Sequence, residues 1–188
     1  MAIFKDYLEN KSPLILHGAL GTEMESLGYD ISGKLWSAKY LLEKPEVIQK
    51  IHETYVAAGA DLITTSSYQA TLPGLIDAGL TKEEAEQIIA LTVQLAKNAR
   101  DKVWTALDET EKAKRPYPLI SGDVGPYAAY LANGSEYTGD YGQITIKELK
   151  EFHRPRIQIL LDHGVDLLAL ETIPNHLEAQ ALIELLAE

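Results

Sequence analysis

Short apolar runs, each followed by a helix-patterned segment, constrain this chain more than any other feature. The runs are Leu14–Leu16, Asp61–Thr65, Pro118–Ser121 and Asp166–Leu170. They are nearly all apolar, as strands buried on both faces are. Pro45 and Glu46 open a helix with Val47, Ile48, Ile51 and Tyr55 on one face and Gly59 as its stop. Thr81 with Glu84 forms a capping-box signature ahead of Ala85, Ile88, Leu95 and Ala99. Thr145 with Glu148 repeats it before Leu149 and Phe152, and Gly164 closes that segment. Pro155 inside the segment predicts a kink or two shorter helices. Asn175 and Glu178 start the last helix, with Leu182, Leu185 and Leu186 as its apolar stripe.

This alternation calls for right-handed crossovers and a parallel sheet, an α/β fold. Helix-to-strand turns are as short as Gly59-Ala60 or Gly164-Val165, whereas the strand-to-helix segments Gly18–Lys44 and Gly122–Ile144 are long. One rim therefore carries nearly all the loop, and it is the rim where α/β folds place their chemistry. Asp108–Arg115 reads as a charged connector, and no internal repeat or interdomain linker is evident. The last helix runs to Glu188 without a glycine, asparagine or proline stop. Four units occupy the 188 residues, whereas an eight-unit barrel takes about 250. The expectation is a single domain over residues 1–188, the parallel (βα)4 half of a TIM (βα)8 barrel. A small open α/β sheet ending in a helix is the alternative.

Composition narrows the partners. A net charge of −11 supplies no basic face for nucleic acid or for an anionic membrane. With no apolar run of about 18 residues and no signal-peptide pattern, the expected location is the cytoplasm. The chain has no cysteine, which removes disulfides and thiolate metal sites together.

Four motifs lie at the expected strand ends. "LILHGALGTEM" (Leu14–Met24) has Gly18 and Gly21 three apart, with no Gly-Lys-Ser/Thr and no third glycine. It is neither a P-loop nor a dinucleotide fingerprint, but a strand end turning so that backbone N–H groups face the rim. "TTSSYQAT" (Thr64–Thr71) sets hydroxyls and an amide at the second strand end, where Ser67 and Tyr68 can bond a small polar ligand or equally satisfy local turns. "SGDVGPY" (Ser121–Tyr127) carries two glycines that allow close backbone approach. In "LLALETIPN" (Leu167–Asn175), Glu171 follows an apolar strand, where a carboxylate enters the mouth of a barrel or makes a structural cap or ion pair. His52, His153, His163 and His176 show no ligand spacing and read as surface positions.

Taken in order, these motifs resemble the N-terminal half of the homocysteine S-methyltransferase family, in particular its bacterial branch that uses S-methylmethionine or S-adenosylmethionine. The resemblance runs from "LILHGALGTEM" through "ITTSSYQAT" and "ISGDVGPYAAYLANGSEYTGDY" to "LLALETIPN". It implies a barrel that moves a methyl group from a sulfonium donor to the homocysteine thiol, giving methionine. In such enzymes a zinc ion on three cysteines holds the thiolate, the nucleophilic form. It further implies that Glu171 binds the substrate amino group and that Gly18 and Ala19 help form the amino-acid pocket.

Two departures stand out. The family's zinc cysteines lie in the second half of its barrel, and this chain has none. No metal ligand and no catalytic residue are expected here, and these 188 residues are not expected to turn over alone. The family also reads Asp-Gly where this chain reads His17-Gly18, so a histidine stands where a carboxylate would pair with the ammonium. The competing reading is a non-catalytic half-barrel, whose open first and fourth strand edges join another copy or a separate second half.

Overall fold

The computed structural model describes residue 9, residues 13–33 and residues 36–188. Among these, three parallel strands form one sheet in the order β1 (Leu62–Thr64), β2 (Leu119–Val124) and β3 (Leu167–Leu170). The first apolar run falls short of a strand. It adds one parallel bridge, Leu16 to Leu62, beside β1. Three backbone bonds support it, His17 N–H to Leu62 O at 3.0 Å, and Asp61 N–H and Leu62 N–H to Ile15 O at 2.7 and 3.2 Å. The shortening has a physical reason: Ile15 and Leu16 lie on the open edge, 50% and 59% exposed, so neither burial nor a second partner extends the pairing. The four segments are neighbours in chain order, the sequence of a barrel segment rather than a doubly wound sheet.

β2 is the centre. All six of its positions are buried, and it reaches Val124 rather than stopping at Ser121. The extension follows from its register with β3, where Ser121, Gly122, Asp123 and Val124 pair with Leu167, Leu168, Ala169 and Leu170. Gly122 is needed there, since an added Cβ would lie 3.0 Å from the Leu168 side chain.

Of four long helices, Pro45–Ala57, Lys82–Ala106 and Ile146–Asp162 pack against the strands, and His176–Leu186 packs against Ile146–Asp162. Both capping boxes form, Thr81 with Glu84 and Thr145 with Glu148. Pro155 does not divide its helix, which runs unbroken from Ile146 to Asp162. The carbonyl left without a donor belongs to exposed Glu151, where water can serve it. Leu149, His153, Arg156, Ile157 and Leu160 anchor the helix on both sides of the proline.

The helix-to-strand turns hold a short repeat, Gly59-Ala60-Asp61-Leu62 and Gly164-Val165-Asp166-Leu167. Each glycine has positive φ, +106° and +73°. Each aspartate then ties its strand to the preceding one, Asp61 Oδ2 accepting from Ile15 N–H at 3.0 Å and Asp166 Oδ2 from Ile120 N–H at 2.8 Å. The long rim segments also contain order: short helices at Leu20–Ser26, Lys39–Glu43, Leu72–Asp77, Tyr127–Leu131 and Ser135–Thr138. The connector after residue 107 contains the helix Glu109–Lys112, capped by Asp108. Among the described residues no helix is long and apolar enough to cross a membrane.

Candidate functional site

A cleft of about 740 Å³ opens at the carboxyl-terminal rim of the strands. Of the six residues named from sequence, His17, Gly18, Ala19, Tyr68 and Glu171 line it, and Ser67 does not. Ser67 is fully buried behind the rim. Its hydroxyl contacts Thr65 Oγ1 at 2.7 Å and donates to Asp123 O at 2.7 Å. Asp123 N–H in turn donates to Thr65 Oγ1 at 2.9 Å. The hydroxyl patch thus locks the ends of β1 and β2 together.

Gly18 and Ala19 approach the helix Pro45–Ala57 closely. A Cβ on Gly18 would lie 2.6 Å from the Tyr55 ring, and Tyr55 OH donates to Ala19 O at 3.1 Å. His17 stands edge-on to Tyr55, with ring centroids 5.7 Å apart, and 6.3 Å from His52. Burial pulls the His17 pKa down, opposed by the charge of Glu171. Its imidazole is therefore neutral near pH 7. His52 is completely buried, contrary to the surface position expected for it, and burial with His17 nearby lowers its pKa to about 3. His17 Nδ1 and both ring nitrogens of His52 lack partners.

Asp123 was not singled out from sequence, and it lines the same cleft. Burial first, then the adjacent Glu171 carboxylate, push its pKa well up, while Arg156 pulls it down. Its Oδ1 is buried without a partner. Glu171 is exposed at the end of β3. Thr172 follows it with φ of +54°, a strained conformation for a β-branched residue and one that clusters at functional sites.

Behind the rim lies a second polar group. Arg156 is buried and donates to Ser67 O at 3.1 Å, Tyr68 O at 3.0 Å and Gly125 O at 2.5 Å. It also meets His153 Nδ1 at 3.1 Å. A guanidinium only donates, so Nδ1 accepts and the His153 proton sits on Nε2, where it is given to Glu178 Oε1 at 2.7 Å. Tyr127 N–H and Tyr141 OH also donate to Glu178, both at 2.5 Å. His153 is thus another buried histidine, not a surface one, and Glu178, in the first turn of the last helix as expected, bonds these groups while the Asn175 side chain caps that helix. Gly125 is required beside Arg156, because a Cβ there would lie 2.6 Å from the Tyr68 ring and 2.8 Å from Tyr68 O.

The residues present do not fit a thiolate zinc site. The chain has no cysteine, and among the described residues no three His, Asp or Glu side chains cluster to hold a metal ion.

A cleft at the carboxyl-terminal rim of parallel strands that neighbour one another in chain order is the arrangement of a barrel-type α/β fold. Residues 14–188 match the homocysteine S-methyltransferase family, and the chain belongs to that family. It is 45% identical over its whole length to homocysteine S-methyltransferase 1 of Brassica oleracea, covering 58% of that protein. It is 48% identical to homocysteine S-methyltransferase YbgG of Bacillus subtilis over 93% of this chain and 55% of that protein. The crystal structure of the Escherichia coli homocysteine methyltransferase MmuM in its metallated form superposes with a TM-score of 0.89 and 43% identity. That match covers 98% of this chain and 62% of MmuM. The fold is thus the parallel (βα)4 half of a (βα)8 barrel, and the chain spans little more than half the length of the curated relatives it matches.

Proposed function

We propose that this chain is a single domain forming the N-terminal, homocysteine-binding half of a homocysteine S-methyltransferase. One observation carries the reading. The cleft gathers a carboxylate after β3, a glycine turn after the first strand segment and the β1 rim loop around one space. Glu171 binds the ammonium group, and Gly18 and Ala19 let the substrate backbone approach, with neutral His17 and Tyr68 beside them. The hydroxyl of Ser67 positions Asp123 from behind. The methyl comes from a sulfonium donor, S-methylmethionine or S-adenosylmethionine, and a reducing cytoplasm keeps the acceptor thiol free. In the family, zinc supplies thiolate stabilisation; no step can be assigned to it here, because this chain carries no cysteine to hold it.

Two outcomes are expected of the purified chain: calorimetric binding of L-homocysteine, and no methyl transfer from either donor. Turnover by this chain alone contradicts the assignment of the zinc chemistry elsewhere, and absence of binding contradicts the site.

The sheet edges favour a second reading, that the half-barrel functions by association. Ile15 and Leu16 on one edge and Leu170 on the other are exposed, and unpaired parallel edges invite pairing. A second copy or a separate second half would cover them. Sedimentation of a dilute sample as a stable monomer counts against association between copies.

A further inference from the structure

We propose that Asp123 is the second carboxyl of a clamp for the substrate ammonium group, a specificity-determining contact made together with Glu171. The inference rests on the amino-acid reading of the cleft given above.

Asp123 lies at the carboxyl end of β2, paired in register with Ala169, two residues before Glu171 on the neighbouring strand. Its backbone is fixed on both sides, N–H to Thr65 Oγ1 and O from Ser67 Oγ. The side chain therefore has a set direction. It lines the cleft, is 5% exposed, and leaves Oδ1 without a partner. Glu171 lines the same cleft and is near enough to push the Asp123 pKa up.

The charged and titratable groups around it leave a cation wanting. Glu171 approaches from β3 and repels a second negative charge. Arg156, on the helix Ile146–Asp162, is near enough to attract it, but its bonds go to the Ser67, Tyr68 and Gly125 carbonyls and to His153. His17, from the first strand segment, is neutral by burial. Tyr68, from the β1 rim loop, has its hydroxyl bonded to Glu136. Two carboxyls in a cleft, one with an unused buried oxygen, suit a compact cation with several N–H donors. A primary ammonium is that group. On binding, Asp123 releases its proton to solvent, and its carboxylate and that of Glu171 accept N–H bonds from the ammonium group.

Calorimetric titration of the 188-residue chain separates the possibilities. The probes are L-homocysteine and 4-mercaptobutanoate, which keeps the thiol and carboxylate but lacks the ammonium. The Asp123→Asn variant is expected to bind L-homocysteine roughly ten- to a hundredfold more weakly, with no change for the deamino probe. Asp123→Ser serves the same test if the asparagine variant does not fold. Equal affinity of wild type and variant for L-homocysteine overturns the clamp and leaves the substrate reading standing. Failure of the wild type to prefer L-homocysteine over the deamino probe also overturns it. Binding of neither probe by the wild type removes the substrate reading itself, and the clamp with it.

Discussion

Two buried polar groups lie on either side of the β1 and β2 rim, and they are built in opposite ways. Behind the rim, Arg156, His153 and Glu178 bond one another and five neighbouring groups, the Ser67, Tyr68 and Gly125 carbonyls, the Tyr127 N–H and the Tyr141 hydroxyl, and of their side-chain nitrogens and oxygens Arg156 Nε alone has no partner. In front of it, His17, His52 and Asp123 keep buried nitrogen or oxygen atoms without partners. A network with nearly all its members bonded fixes backbone positions, and each unsatisfied group costs about 1–3 kcal/mol unless something arrives to bond it. The first group ties elements together, and of the second His17 and Asp123 line the cleft proposed as the substrate site.

The largest expected effect comes from dismantling the scaffold group. Arg156→Leu leaves three buried carbonyls without a donor and removes the cation beside Asp123 and Glu178. Urea denaturation should show a loss of roughly 3–5 kcal/mol, the range for breaking one side of a buried charged network. A loss below about 1 kcal/mol, the scale of an ordinary surface change, would erase the contrast.

The histidine of the front group makes stability depend on pH. Folding holds the His52 pKa at about 3, below the roughly 6.5 of an unfolded histidine, so the unfolded chain takes up the proton first. This contribution is fully present above pH 6.5 and is lost as pH falls towards 3, by about 1.4 kcal/mol per unit. At pH 5 the cost reaches about 2 kcal/mol. His52→Leu, measured by denaturation between pH 7 and 4, should flatten this acid branch and show no loss of stability at pH 7, since two unpartnered nitrogens are removed. An unchanged acid slope would show that His52 is not buried as a neutral ring.

Local signals were legible in the sequence. The two capping boxes, the parallel α/β order and the rim position of Glu171 each depend on residues within a few positions of one another. The scaffold group was not, because its partners are distant in the chain. Glu178 looks like a helix-start acid, yet its contacts, His153 and Tyr141, lie 25 and 37 residues away. Asp123 was hidden by ending the second-to-last strand at Ser121, and the register with β3 carries that strand three residues further. Conversely, Leu14–Leu16 is apolar enough for a buried strand but lies on an open edge, where burial cannot act on it. His17, the anomaly beside Gly18, turns out to share its cleft with Asp123 from β2, two strands across the sheet.

The contrast between the two groups is tested most directly by NMR titration of the isotope-labelled chain with L-homocysteine, following amide shifts. Binding at the front group should move His17, Gly18 and Ala19, the segment Thr65–Gln69, Asp123 and Glu171, and leave the Glu178 and Tyr141 amides still. Shifts centred on Glu178 and Tyr141, or none along the rim, would contradict the assignment of the cleft as the substrate site.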